Sequence, residues 1–136
     1  MAIAIDTSVL LDVLIPDAAD ASVSASAMRR SSPDGLIICE LAEIVPVVDG
    51  DILAISQFLS DWKIDFVPIS AASALLAGQM YSSFLKRGGK RGRILPDFLI
   101  GAHARLQATA LLARDRGYYR DYFKGLTVID PASPSR

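Results

Sequence analysis

Five short apolar runs punctuate the chain: "AIAI" (2–5), "LIIC" (36–39), "IDFVPI" (64–69), "TALLA" (109–113) and "TVI" (127–129). Each reads as a strand, the first of them short and buried. The longer segments between them carry helical patterns. Strands alternating with helices indicate an α/β sandwich around a mainly parallel sheet. "SVLLDVLI" (8–15) reads as a helix with Ser8 or Asp6 as N-cap, ended by Pro16. The Ala- and Ser-rich stretch 18–30 reads as a weakly packed helix, and "SSPDG" (31–35) as a turn. "ELAEIV" (40–45) is expected to continue as a helix, interrupted near Pro46. "GDILAISQFLSDW" (50–62) has apolar residues at amphipathic spacing. Residues 70–86 form a further helix with Ser70 as cap. Residues 96–108 form another, with Pro96 in the first turn, where its missing N–H costs nothing. The tail "DPASPSR" is expected to fray.

At 136 residues the chain is expected to be one domain, 1–136. A chain of this size buries roughly two thirds of its unfolded surface and needs no staple. It is 51% hydrophobic and 21% charged, a globular composition. Its mean hydropathy of +0.36 is high. No apolar run approaches the ~18–20 residues that cross a bilayer, so part of the excess is expected at an interface with another chain. The first residues lack the pattern of a signal peptide. The one cysteine, Cys39, has no internal partner. Both features lead to the expectation of a reducing cytoplasm. Cys39 in its apolar setting reads as a small buried hydrophobe. One cysteine and one histidine exclude a Cys/His zinc cage. The net charge of −1 hides a basic cluster, "KRGGKRGR", with Lys86, Arg87, Lys90, Arg91 and Arg93 and no acid among them.

Ligands of open parallel sheets bind beyond the carboxyl ends of the strands. Acids follow the apolar runs there: Asp6 after "AIAI", Glu40 and Glu43 after "LIIC", Asp115 after "TALLAR". Asp97 opens the helix after the basic loop. Each has an ordinary structural explanation, since Asp6 can cap a helix and Asp97 can favour a helix dipole. Those explanations do not account for all of them falling where one cleft should be. Two carboxylates ~4 Å apart repel by roughly 4 kcal/mol at an effective dielectric of 20. A cluster therefore calls for raised pKa values or a cation. An all-oxygen site suits a hard ion, Mg²⁺ or Mn²⁺, whose chemistry is that of phosphodiester hydrolysis.

The segments "IDTSVLLDVL", "LAEI", "LPDFLIGAHA" and "LLARDRGYYRDYFKGLTVI" resemble, in order and spacing, the motifs of PIN-domain proteins, and most closely the VapC-type toxins of toxin–antitoxin modules. The resemblance covers nearly the whole chain. It implies a three-layer α/β/α PIN-like domain and a Mg²⁺- or Mn²⁺-dependent ribonuclease. Carried over by position, the catalytic acids are Asp6, Glu43, Asp97 and Asp115, with Asp6, Asp97 and Asp115 as metal ligands. Glu40 is the alternative to Glu43, and Ser8 supports the site by hydrogen bonding. The resemblance also implies a homodimer and a small VapB-like antitoxin covering the acidic groove.

The basic loop, with Lys86, Arg87, Lys90, Arg91 and Arg93, is a candidate RNA track, extended by Arg114, Arg116 and Arg120 near Asp115. Tyr118, Tyr119, Tyr122 and Phe123 read as packing under the last strand rather than as base-stacking groups. His103 lies six positions after Asp97, about 240° around a helix, and reads as structural. Other readings are a PIN-like domain that binds RNA or a partner without cutting, a receiver-type domain, and an aspartate-based phosphatase. The receiver wants a lysine where Arg114 and Asp115 stand. The phosphatase wants a second acid where Ser8 stands.

Overall fold

The computed structural model describes residues 2–15, 17–91, 95–114 and 118–132. Strands β1 (Ile3–Ile5), β2 (Leu36–Ile38), β3 (Ile64–Phe66), β4 (Ala110–Leu112) and β5 (Val128–Ile129) form one sheet in the order β3-β2-β1-β4-β5. Every pairing is parallel, with Ile3 opposite both Leu36 and Ala110.

Successive residues of a strand point to opposite faces. Ile3 and Ile5 accordingly join one apolar cluster, with Val9, Leu10, Met28, Leu36, Ile38 and Ile55. Ala4 joins the other, with Ile37, Phe98, Leu111, Ala113 and Phe123. Helices α1 (Thr7–Leu14), α2 (Ala21–Ser31) and α3 (Ile52–Trp62) supply the first layer. Helices α4 (Ala71–Lys86), α5 (Leu95–Gln107) and α6 (Tyr118–Tyr122) supply the second. A sheet covered on both faces explains why β1, β2 and β4 are apolar and buried at every position, while the edge strand β3 exposes Asp65 and Phe66. No helix among the described residues is long and apolar enough to cross a membrane.

The local signals worked where they were chemical. Ser70 caps α4 by accepting from the Ser73 N–H at 3.1 Å. Pro96 is the second residue of α5. Two segments differ from expectation. Residues 42–44 form a turn and Val45–Val48 a 3₁₀ helix in place of the α-helix over "ELAEIV". Pro46 cannot donate an N–H, and Asp49 and Gly50 turn left-handed just beyond. The strand expected over 64–69 ends at Phe66, two residues before Pro68. Helix α6 is an addition. Five residues are too few to show a helical period, and contacts hold this one in place. Gly101 of α5 lets it seat: a Cβ there would come within 2.5 Å of the Phe123 ring.

His103 is structural, as expected. It is 1% exposed, and its Nε2 donates to the Val67 carbonyl at 2.9 Å. Burial pushes its pKa below the ordinary 6.5, with the carbonyl acting against that shift. The unfolded ring titrates near 6.5, so the unfolded chain takes the proton first. The stability held by the neutral ring is complete above about pH 6.5 and is lost as pH falls from there toward the lowered folded value. The thermal midpoint should therefore drop on mild acidification with the slope of a single proton. His103→Gln, which can still donate to Val67, should remove that part of the slope. An unchanged slope in the variant would assign the pH dependence elsewhere.

Candidate active site

In the order β3-β2-β1-β4-β5 the chain leaves β1 toward one edge of the sheet and β4 toward the other. Connections diverge at such a switch point and open a crevice beyond the carboxyl ends of those two strands. Asp6 is the residue immediately after β1. Its N–H donates to the Leu112 carbonyl at 2.9 Å, which ties the end of β1 to the end of β4.

The sequence leaves Asp6 as a cap or a corner of a site, and the structure makes it a cap. Its carboxylate accepts from the Ser8 N–H at 3.3 Å, starting α1. The Ser8 hydroxyl donates to the same oxygen, Oδ2. Capping does not exhaust the group. Asp6 is 3% exposed, and the Tyr119 hydroxyl donates to its Oδ1 at 2.7 Å. Among the described residues no lysine or arginine pairs with it. Its compensation comes from hydroxyls, one N–H and the positive end of α1.

Glu40 follows β2 by two residues. Its Oε2 accepts from the Thr7 hydroxyl at 2.7 Å and its Oε1 from the Ala42 N–H at 2.8 Å. It is therefore joined to the residue next to Asp6. Glu43 lies exposed in the turn 42–44 and has interactions of its own. Glu40 is thereby held against the Asp6 segment.

Helix α5 ends at Gln107, and β4 starts only three residues later. The N-terminus of α5 therefore lies toward the carboxyl end of the sheet. Asp97 sits half-buried in its first turn, and it too is engaged. The neighbouring Phe98 ring packs against Tyr122 at 5.3 Å and Phe84 at 5.4 Å. These contacts bring α6 and the end of α4 to the same side. Lys86, Arg87, Lys90 and Arg91 stand exposed there, with the Arg87 guanidinium 4.9 Å over the Tyr122 ring. Arg93, Asp115 and Arg116 lie outside the described residues.

Arg114, a candidate for the RNA track, is engaged within the protein. Its guanidinium is paired with Asp12 of α1 and with Asp20 at 3.1 Å. Asp12 is 8% exposed and also accepts from Ser24 at 2.6 Å. A buried carboxylate attracts the nearest cation strongly, and this one holds Arg114 inward, beside a cavity of about 210 Å³ lined by Asp20, Ser24 and Asp130 among others.

Tyr119 is the contact to the candidate site that the sequence did not reveal. It was expected only to pack, and its ring is indeed buried. Its hydroxyl contact lies 113 residues away along the chain.

The donors at this edge are oxygens. Burial, with help from Glu40, pushes the Cys39 thiol up to about 11, so it stays protonated. His103 is turned to Val67. Among the described residues no three Asp, Glu, His or Cys side chains gather closely enough to hold a metal by themselves. This set suits a hard ion that keeps most of its waters and takes one or two carboxylates, and does not suit zinc.

No protein-family model matches the sequence, and no curated protein does. Solved structures do match. A chain of VapBC2 from Rickettsia felis, crystallised with a DNA fragment from its promoter, has a TM-score of 0.72 at 16% identity, covering 96% of this chain and 98% of that one. A chain of FitAcB from Neisseria gonorrhoeae has a TM-score of 0.68 at 17% identity, covering 95% and 97%. VapC20 from Mycobacterium tuberculosis, a sarcin–ricin loop cleaving toxin, has a TM-score of 0.61 at 18% identity, covering 90% and 96%. Likeness at these identities concerns the fold. The chain has the three-layer α/β/α PIN-like architecture that its motifs lead one to expect.

Proposed function

We propose that this chain is a metal-dependent endoribonuclease and the toxin of a toxin–antitoxin pair. The observation that carries the reading is Asp6, a carboxylate buried at the switch point of the sheet, with no basic partner among the described residues. The fold likeness to a toxin that cleaves the sarcin–ricin loop supports it.

Asp6, Asp97 and Asp115 would hold Mg²⁺ or Mn²⁺, with Glu43, or Glu40 joined to Thr7 beside Asp6, completing the acid set. When bound, the ion supplies Lewis-acid activation of water and neutralises charge on the phosphate. The chain's own residues do the rest. Ser8 and Tyr119 orient Asp6. A carboxylate of the acid set would accept a proton from the attacking water. Lys86, Arg87, Lys90 and Arg91 hold RNA phosphates, continued by Arg93 and Arg116. In-line attack breaks the P–O3′ bond and leaves a 5′-phosphate and a 3′-hydroxyl. A VapB-like antitoxin is the proposed partner, supported by the VapBC complexes among the fold neighbours. Ile52, Leu53 and Leu75, apolar side chains 68–81% exposed, offer surface for the proposed homodimer and antitoxin contacts.

The test is cleavage of a structured RNA with Mn²⁺ present, run with the parent protein and Asp97→Asn. The variant should lose at least about 100-fold in rate, the scale on which disturbed metal sites fail. Equal cleavage by both proteins would point to a contaminating nuclease and refute the site.

A further inference from the structure

We infer that Tyr119 is a positioning residue for the Asp6 carboxylate, aiming the one lone pair of Asp6 that remains for a cation. This deepens the metal-dependent reading and rests on it. An ionised carboxylate offers about four lone-pair sites, two on each oxygen. Ser8 takes two on Oδ2, through its N–H and its hydroxyl. Tyr119 takes one on Oδ1. The remaining site is therefore on the oxygen that Tyr119 grips, and the direction of the Tyr119 bond sets where that site points.

The tyrosine is itself held firmly. It is 2% exposed and carried on α6. That helix is anchored through Phe123 against Gly101 and through Tyr122 against Phe98. Hydrogen-bond partners that orient a ligand are worth 10- to 100-fold in metal affinity. Cation binding at Asp6 and docking of α6 should then favour each other equally, by linkage.

The experiment is Mn²⁺ titration of the full chain, read by the loss of the free-ion EPR signal, for the parent, Asp6→Asn, Tyr119→Phe and Phe123→Leu. Tyr119→Phe keeps the ring and should weaken Mn²⁺ binding about tenfold or more. At saturating Mn²⁺ it should lower kcat for RNA with KM unchanged. Phe123→Leu loosens the anchor of α6 without touching the hydroxyl; it should lower the thermal midpoint and, through the same linkage, weaken Mn²⁺ binding by less than Tyr119→Phe does. Replacing Tyr119 with para-aminophenylalanine restores a donor at the same place and should recover the affinity. It also serves if Tyr119→Phe fails to fold. A parent that binds Mn²⁺ no better than Asp6→Asn would overturn the metal reading and this inference with it. A parent that binds, with Tyr119→Phe or the amino variant showing the wrong affinity, would overturn this inference alone.

Discussion

Asp6→Asn should abolish Mn²⁺-dependent RNA cleavage, by at least about 100-fold, and leave the fold standing. Asparagine is as good an N-cap as aspartate. Its Oδ1 can still accept a hydrogen bond, and its volume is nearly the same. The negative charge is removed, and the oxygen lost becomes an amide N–H₂ that the Tyr119 hydroxyl can accept. The thermal response separates the two roles of the side chain. In the parent, Mn²⁺ at ~100 times its dissociation constant should add roughly 2.7 kcal/mol. For a chain of this size that raises the midpoint by about 8–11 °C. The variant should start near the parent's metal-free midpoint and gain almost nothing. A variant that still cuts RNA at the parent rate would remove Asp6 from the site, however well it caps α1.

Arg114→Ala should be the most destabilising substitution near the crevice. It strands Asp12, which is 8% exposed and would keep only Ser24 as a side-chain partner among the described residues. Breaking a buried ion pair costs about 3–5 kcal/mol. The Arg114 side chain is 33% exposed, so water recovers part of the loss and about 2–3 kcal/mol is expected. The midpoint should fall by roughly 6–12 °C. Asp12→Ala with Arg114→Ala completes a double-mutant cycle. Coupling well above the few tenths of a kcal/mol that independent sites show is expected. No coupling would mean that the pair seen at the end of β4 contributes nothing to the folded state. The same substitution bears on RNA binding. An arginine occupied by Asp12 and Asp20 should matter less for RNA affinity than Arg91, which is exposed in the basic segment.

What the sequence alone determined is local or periodic. Short, mostly apolar strand runs separated by helical segments announced an α/β sandwich, because each face of the sheet needs a layer to cover it. Ser70 and Pro96 announced helix starts, because capping is chemistry between near neighbours. The parallel arrangement followed from helices between strands, and it put Asp6, Glu40 and Glu43 at one edge of the sheet before any coordinates. The tertiary structure alone decided which groups touch. The Tyr119–Asp6, Arg114–Asp12 and Thr7–Glu40 contacts join residues 113, 102 and 33 positions apart. No spacing rule reaches that far, because such contacts depend on β1 lying between β2 and β4. Helix α6 belongs with them: five residues are held by rings from α4 and α5, and a helix made by its surroundings leaves no period of its own to read.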